Sequence, residues 1–208
     1  MKFDRRRFLG AVAMGTAGLA VRPARTMPLA IAGPIAATHS TLQERAQAAL
    51  ATHGPLIGQR DVVGMVDFTM PSRAPRFHLL DMGSGAISTH LVAHGRGSDP
   101  ANSGWAERFS NLPGSEATSR GGFLTCEWYN GKYGTSIRLV GLDRDNSLAL
   151  NRAIVVHPAW YADPSMIAKW GKLGRSEGCF AMAPGDFNEA LWHLSGGRLL
   201  YADRISLV

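Results

Sequence analysis

The stretch AIVVHPAWYADPSMIAKWGKLGRSEGCFAM, Ala153 to Met182, decides how this chain is read. A short apolar run, Ala153 to Val156, ends in His157. A loop rich in aromatic and basic residues follows. The chain returns at Gly174-Arg175-Ser176-Glu177-Gly178-Cys179 and enters a second apolar run at Phe180. Two such runs read as short buried strands. If they are neighbours, a histidine at the end of one meets a cysteine at the start of the other. A nucleophilic Cys-His pair is built this way, from partners distant in sequence and close in space.

Working outward, the periodicity predicts a strand-dominated domain. Val62 to Thr69, Arg76 to Asp81, Ala86 to Ala93, Phe123 to Tyr129, Ser136 to Leu142 and Arg198 to Ala202 are short, β-rich and bounded by turn residues. Asn130-Gly131 marks a hairpin turn. Helices are expected at 40–53, where Thr41-Leu42-Gln43-Glu44 matches a capping box and Leu42, Ala46, Ala49 and Leu50 share a face. A second is expected at 186–195, with Asp186-x-x-Glu189 at its start and Gly196-Gly197 at its end. The fold class is therefore mainly β, a β-rich α+β single domain, sandwich- or barrel-like with peripheral helices. Regular periodicity lapses over 94–122. That stretch is either a functional loop covering a cleft or a surface loop with one buried histidine. Gly95 and Gly97, beside Arg96, would let backbone approach a ligand. The glycines form neither G-x-G-x-x-G nor a Walker A sequence, which excludes a nucleotide site of those kinds.

The chain has 208 residues and a formal charge of +6, from 22 basic and 16 acidic residues. Its first 32 residues hold six of the bases (Lys2, Arg5, Arg6, Arg7, Arg22, Arg25) and one acid, Asp4, leaving 16 bases against 15 acids elsewhere. The charge thus gives no footprint for nucleic acid on the main domain. Arg5-Arg6-Arg7-Phe8-Leu9 and the Gly/Ala-rich run to Val21 resemble a twin-arginine export signal, with an uncleaved anchor or N-terminal helix as the alternative. Residues 1–35 are read as that signal segment and 36–208 as the domain. Export to a periplasm or cell envelope follows, with no stable membrane span in the mature protein. Only Cys126 and Cys179 are present. An exported chain could join them in a disulfide, but Cys126 in a strand-like segment reads as a buried free cysteine.

With the motifs in hand, the chain resembles the YkuD-like L,D-transpeptidase catalytic domain, in the subgroup whose nucleophile motif reads G-R-S-x-G-C. The likeness is carried by Arg152 to His157, by Gly174 to Cys179, and by Val92-Ala93-His94-Gly95-Arg96-Gly97-Ser98-Asp99. It extends to Phe109-Ser110-Asn111 and to Tyr133 to Leu139 with Gly141-Leu142. The resemblance implies Cys179 as nucleophile and His157 as its base, with Ser176 and Gly178 lining the site and its oxyanion pocket. It implies acyl transfer on peptidoglycan stem peptides, as donor and acceptor, without metal or organic cofactor. The usual donor bond is diaminopimelate(3)–D-Ala(4), and L-Ala(1)–D-Glu(2) is the other L-to-D junction. Water as acceptor would give an L,D-carboxypeptidase, and a non-catalytic wall-binding module is the reading from another class. Arg175 and Arg96 are candidates for stem carboxylates, with surface arginines as the plain alternative. His94 matches the motif without a role. Glu177 stands where the better-known motif has a second histidine; it would orient His157, meet a substrate amine, or face solvent. Trp160, Tyr161 and Trp170 would form a lid or acceptor wall, or pack in the core. A monomer is expected.

Overall fold

In the computed structural model, residues 34–205 are described, with side chains from residue 41. All but the last residues of the expected signal segment lie outside that range. The elements are α1 (Pro34–His53), β1 (Val62–Asp67), β2 (Phe77–Asp81), β3 (Ile87–His90), β4 (Gly121–Gly131), β5 (Gly134–Gly141), β6 (Val155–Pro158), α2 (Pro164–Trp170), β7 (Phe180–Met182), α3 (Pro184–Leu194) and β8 (Leu199–Asp203). No helix among the described residues is long and apolar enough to cross a membrane.

The eight strands form one sheet in the order β3-β2-β1-β8-β4-β5-β6-β7. β1 pairs with β8, and β6 with β7, in parallel, and the other pairs are antiparallel. Just beyond β3 the chain returns to the far edge. Ala93 N–H donates to the Ala181 carbonyl at 2.8 Å, and Arg96 N–H to the Ser176 carbonyl at 2.8 Å. The sheet is thereby curled into a nearly closed barrel, which satisfies the backbone groups that an open edge would leave free.

β1, read VVGMVD, is buried along its whole length because both of its faces are covered. Val62 and Val66 enter the main core with Phe187, Ala190 and Leu194 of α3. Val63 and Met65 meet Leu42, Ala46 and Ala49 of α1 on the other side. A strand covered twice loses the apolar/polar alternation of a half-exposed one.

Several boundaries differ from the sequence reading. α1 begins at Pro34, so Thr41-x-x-Glu44 lies inside the helix rather than at its start. α3 begins on Pro184 with Ala183 as an N-cap that makes no side-chain bond, so Asp186 sits within the first turn. The hairpin turn is Lys132-Tyr133, two residues beyond Asn130-Gly131; Gly131 pairs with Gly134, whose φ of +82° supplies the left-handed residue. α2 was not foreseen. Asp163 caps it by accepting from Ser165 N–H at 2.8 Å, Pro164 fixes its first turn, and Gly171 at φ 73° ends it. At seven residues it is too short to show helical periodicity.

Candidate active site

The parallel pair β6–β7 aligns Val156 with Phe180 and His157 with Ala181, which places Cys179 one step earlier, beside Val155. Val156, Phe180 and Met182 enter the main core. By strand alternation His157 and Cys179 share the opposite face, on adjacent strands and two steps apart, about 8 Å between Cα atoms. The apolar runs that end in a histidine and begin at a cysteine thus bring the two together. Both cysteines are free, so the disulfide alternative is set aside. Cys126 is only half-buried, against the expectation of a buried position.

Cys179 opens on a cleft of about 490 Å³ lined by Arg152, Ala153, Glu116, Glu177, Tyr129, Lys132 and Tyr133, among others. Its thiol donates to the Ala153 carbonyl at 3.6 Å. Ala153 reaches that position with φ of 53°, a left-handed conformation costly for a residue with a Cβ, so the strand starts at Val155 rather than at Ala153. Burial pushes the thiol up to about 11; the Val155 N–H and Arg152 oppose that shift, and Glu177 adds to it. The resting cysteine is therefore neutral.

His157 is also neutral at rest, since burial lowers its pKa. Its Nδ1 lies 3.0 Å from the Pro158 carbonyl, which only accepts, so Nδ1 carries the proton and Nε2 keeps a lone pair. Tyr133, at the tip of the β4–β5 hairpin, stacks on the imidazole at 4.5 Å and 21°. Among the described residues no hydrogen bond joins the sulfur to the ring.

Ser176 and Gly178 build the turn that presents Cys179. Ser176 Oγ donates to the Cys179 carbonyl at 2.7 Å and accepts from Gly178 N–H at 3.2 Å. That N–H, expected to face an oxyanion, is thus already engaged. Gly178 has φ +116°, and a Cβ there would lie 2.8 Å from Ile154 Cδ1 and 2.9 Å from the Ala117 carbonyl. Gly95 serves the same close approach: a Cβ on it would strike Gly178 at 2.7 Å from its Cα and N. The glycines flanking Arg96 admit neighbouring backbone, where a ligand was expected.

The charged candidates separate. Arg96 pairs with Glu116 and lies 3.8 Å from Glu177. Arg175 donates to the Asp99 carbonyl and does not line the cleft. His94 is fully buried away from it. Its Nδ1 lies 2.7 Å from an Arg76 nitrogen and its Nε2 3.5 Å from Asp99 Oδ2. Trp160 and Trp170 are largely exposed, whereas Tyr161 packs beside Ala159 and Ala162.

Arg152, quoted in the sequence only as part of a motif, is the residue that reading missed. Its guanidinium donates to the Ser110 carbonyl (2.6 Å), Ser119 Oγ (2.7 Å), Ser115 Oγ (3.2 Å) and the Ala117 carbonyl (2.5 Å). It ties the loop preceding β4 to the cysteine turn, and its charge favours the thiolate of Cys179. Only its position just ahead of the apolar run that ends in His157 hinted at this.

The sequence model of the L,D-transpeptidase catalytic domain family matches residues 37–202. Among solved structures, the chain is similar to an L,D-transpeptidase from Mycobacterium smegmatis at 15% identity and a TM-score of 0.41, covering 69% of this chain and 58% of that one. It is also similar to L,D-transpeptidase 3 from Mycobacterium tuberculosis, in complex with a faropenem-derived adduct, at 13% identity and a TM-score of 0.43, covering 69% and 60%. The matched region is under two thirds of the length of these structures. No curated protein matches the chain.

Proposed function

This chain belongs to the L,D-transpeptidase catalytic domain family, and from that premise we propose that it is an exported cysteine L,D-transpeptidase that cross-links peptidoglycan stem peptides. The observation that carries the reading is the buried Cys179 opening on a cleft, with a histidine on the same sheet face whose Nε2 lone pair is free.

In the proposed cycle the thiol turns from Ala153 and gives its proton to His157 Nε2 as sulfur attacks the carbonyl of the diaminopimelate(3)–D-Ala(4) bond. The amide C–N bond breaks, and the imidazolium returns the proton to the leaving D-Ala amine. A thioester remains on Cys179. An acceptor-stem amine attacks it, losing its proton to His157, and the restored thiol leaves. A neutral thiol beside a neutral imidazole suits a transfer that is coupled to attack. Arg152 supports the sulfur as its negative charge develops. Lys132 on the cleft wall suits a donor carboxylate, while Glu177 suits an acceptor ammonium. The arginine-rich N-terminus supports export to the periplasm.

The test is incubation of purified protein with disaccharide-tetrapeptide, followed by tandem mass spectrometry. Cross-linked dimer joined through the third residue of the donor is expected. Release of D-Ala without dimer would make the enzyme a carboxypeptidase, and neither product would end the reading.

A further inference from the structure

α3 carries two stripes. Phe187, Ala190 and Leu194 face the core. Asn188, Trp192 and the C-cap Ser195 follow helical spacing on the outer side, where core packing has no use for a tryptophan, and half-buried Leu191 lies at the boundary, packed against the core. Trp192 is 81% exposed, and Trp128 of β4, across the groove from it, is 58% exposed. The ladder shifts register between Thr125 and Trp128, and such a bulge re-aims the side chain that follows it. With Arg198 these residues line a cavity of about 520 Å³. Arg198 brings little free charge, because Asp61 holds its guanidinium at 2.7 and 2.8 Å and the Ser195 carbonyl accepts from it at 2.7 Å. Among the described residues, the Asn188 amide and both indole N–H groups have no protein partner.

We propose that this groove is a glycan-binding site that takes β-linked N-acetylhexosamine units. Indole faces stack on the C–H face of a pyranose ring. The unpartnered amide and indole N–H groups meet acetamido and hydroxyl groups. A pocket whose one cation is already paired suits an uncharged ligand. The choice of sugar rests on the reading of the Cys179 cleft as a peptidoglycan site. The groove itself rests on the two tryptophans. Tyr129, next to Trp128 on β4, lines the Cys179 cleft, so one strand holds both the strand-anchoring site and the catalytic one.

Titrating the full chain with the β-1,4 tetramer of N-acetylglucosamine, followed by tryptophan fluorescence, should give a saturable shift. Trp192→Ala and Trp128→Ala should each weaken it about tenfold, with melting temperature unchanged. Both variants should keep wild-type turnover of glycan-free tetrapeptide and lose turnover of intact peptidoglycan. The proposal is overturned by equal sugar affinity in wild type and variants, by absence of a saturable response, or by a fluorescence response to phosphatidylethanolamine/phosphatidylglycerol vesicles in place of the sugar. Sugar binding in a protein that turns over no peptide would keep the groove and discard the enzyme reading; peptide turnover without sugar binding would do the reverse.

Discussion

Two buried histidines, His94 and His157, both fall in motifs of this chain, and the fold gives them opposite chemistry. Arg76 only donates, so His94 Nδ1 accepts from it and the His94 proton sits on Nε2, toward Asp99. Its lone pair is spent. His157 donates its Nδ1 proton to a carbonyl and keeps its Nε2 lone pair unengaged. His94 belongs to a fully buried polar cluster in which Arg76 also donates to the Val92 and Met70 carbonyls and lies over Phe68. Burial and the Arg76 charge hold the His94 pKa down to about 3. A histidine in a motif is therefore a base only when its second nitrogen is left unengaged.

Substituting each in turn breaks the contrast most sharply. His157→Gln should lower kcat/KM by about 10²- to 10⁴-fold while leaving the melting temperature near that of the wild type. His94→Gln should leave kcat/KM within a few-fold and cost roughly 0.5–3 kcal/mol of stability, because the flexible amide gives up the ring's edge contact with Phe68 and its fixed placement between Arg76 and Asp99. The reverse pattern would exchange the two roles. Their pH signatures differ as well. In the proposed cycle His157 must be neutral to act, and its pKa is lowered from 6.5, so the acid limb of kcat/KM should have its midpoint below 6.5. For His94 the unfolded chain takes up the proton first. Its contribution is intact above 6.5 and is lost as pH falls from 6.5 toward about 3, at up to about 1.4 kcal/mol per pH unit. Denaturant titrations should show that slope in the wild type and a flatter one in His94→Gln.

Arg152 and Arg96 offer a second, smaller contrast. Arg96 is half-exposed and screened, so Arg96→Ala should change kcat/KM by no more than a few-fold. Arg152 spans four acceptors and supports the thiolate. Arg152→Lys keeps the charge but not the fork, and should lower kcat/KM about 10- to 100-fold. Its iodoacetamide alkylation at fixed pH should slow in parallel, reporting a higher thiol pKa. Unchanged alkylation would confine Arg152 to holding the loop.

These contrasts also show what was legible from residues alone. The apolar runs ending at His157 and starting after Cys179 predict two strands that bring the pair together if they are neighbours, and β6 and β7 are neighbours. Strand spacing predicts a sandwich- or barrel-like β fold, and the structure takes the barrel-like form, a single sheet of eight strands. Tautomers were not readable, since they depend on which carbonyl or guanidinium arrives from elsewhere in the fold. The four acceptors of Arg152 come from 110–119, a stretch without periodicity, so nothing local announced them. Capping boxes misled twice because the same four-residue pattern is compatible with a helix interior, and at 34 and 184 prolines marked the true starts. The hairpin turn was misplaced because Gly134 supplies the left-handed residue that Gly131 was expected to provide.

Ala153 sharpens the account of Cys179 at the smallest scale. Its φ of 53° aims a carbonyl at the sulfur, and a residue with a Cβ stands about 1–2 kcal/mol above its relaxed backbone there. Glycine removes that cost but adds conformational entropy to the unfolded chain, about 0.4–1 kcal/mol. Ala153→Gly should thus be neutral or stabilising by about 1 kcal/mol, a rise of roughly 2–4 °C in melting temperature at most. Because the carbonyl stays where it is, kcat/KM should hold. Ala153→Val puts a β-branched side chain into the same left-handed position, so it should destabilise the fold and swing the carbonyl from the sulfur. If Val is tolerated as well as Gly, the left-handed residue is an accident of the turn, and the thiol's resting position must be set by Val155 and Arg152 instead.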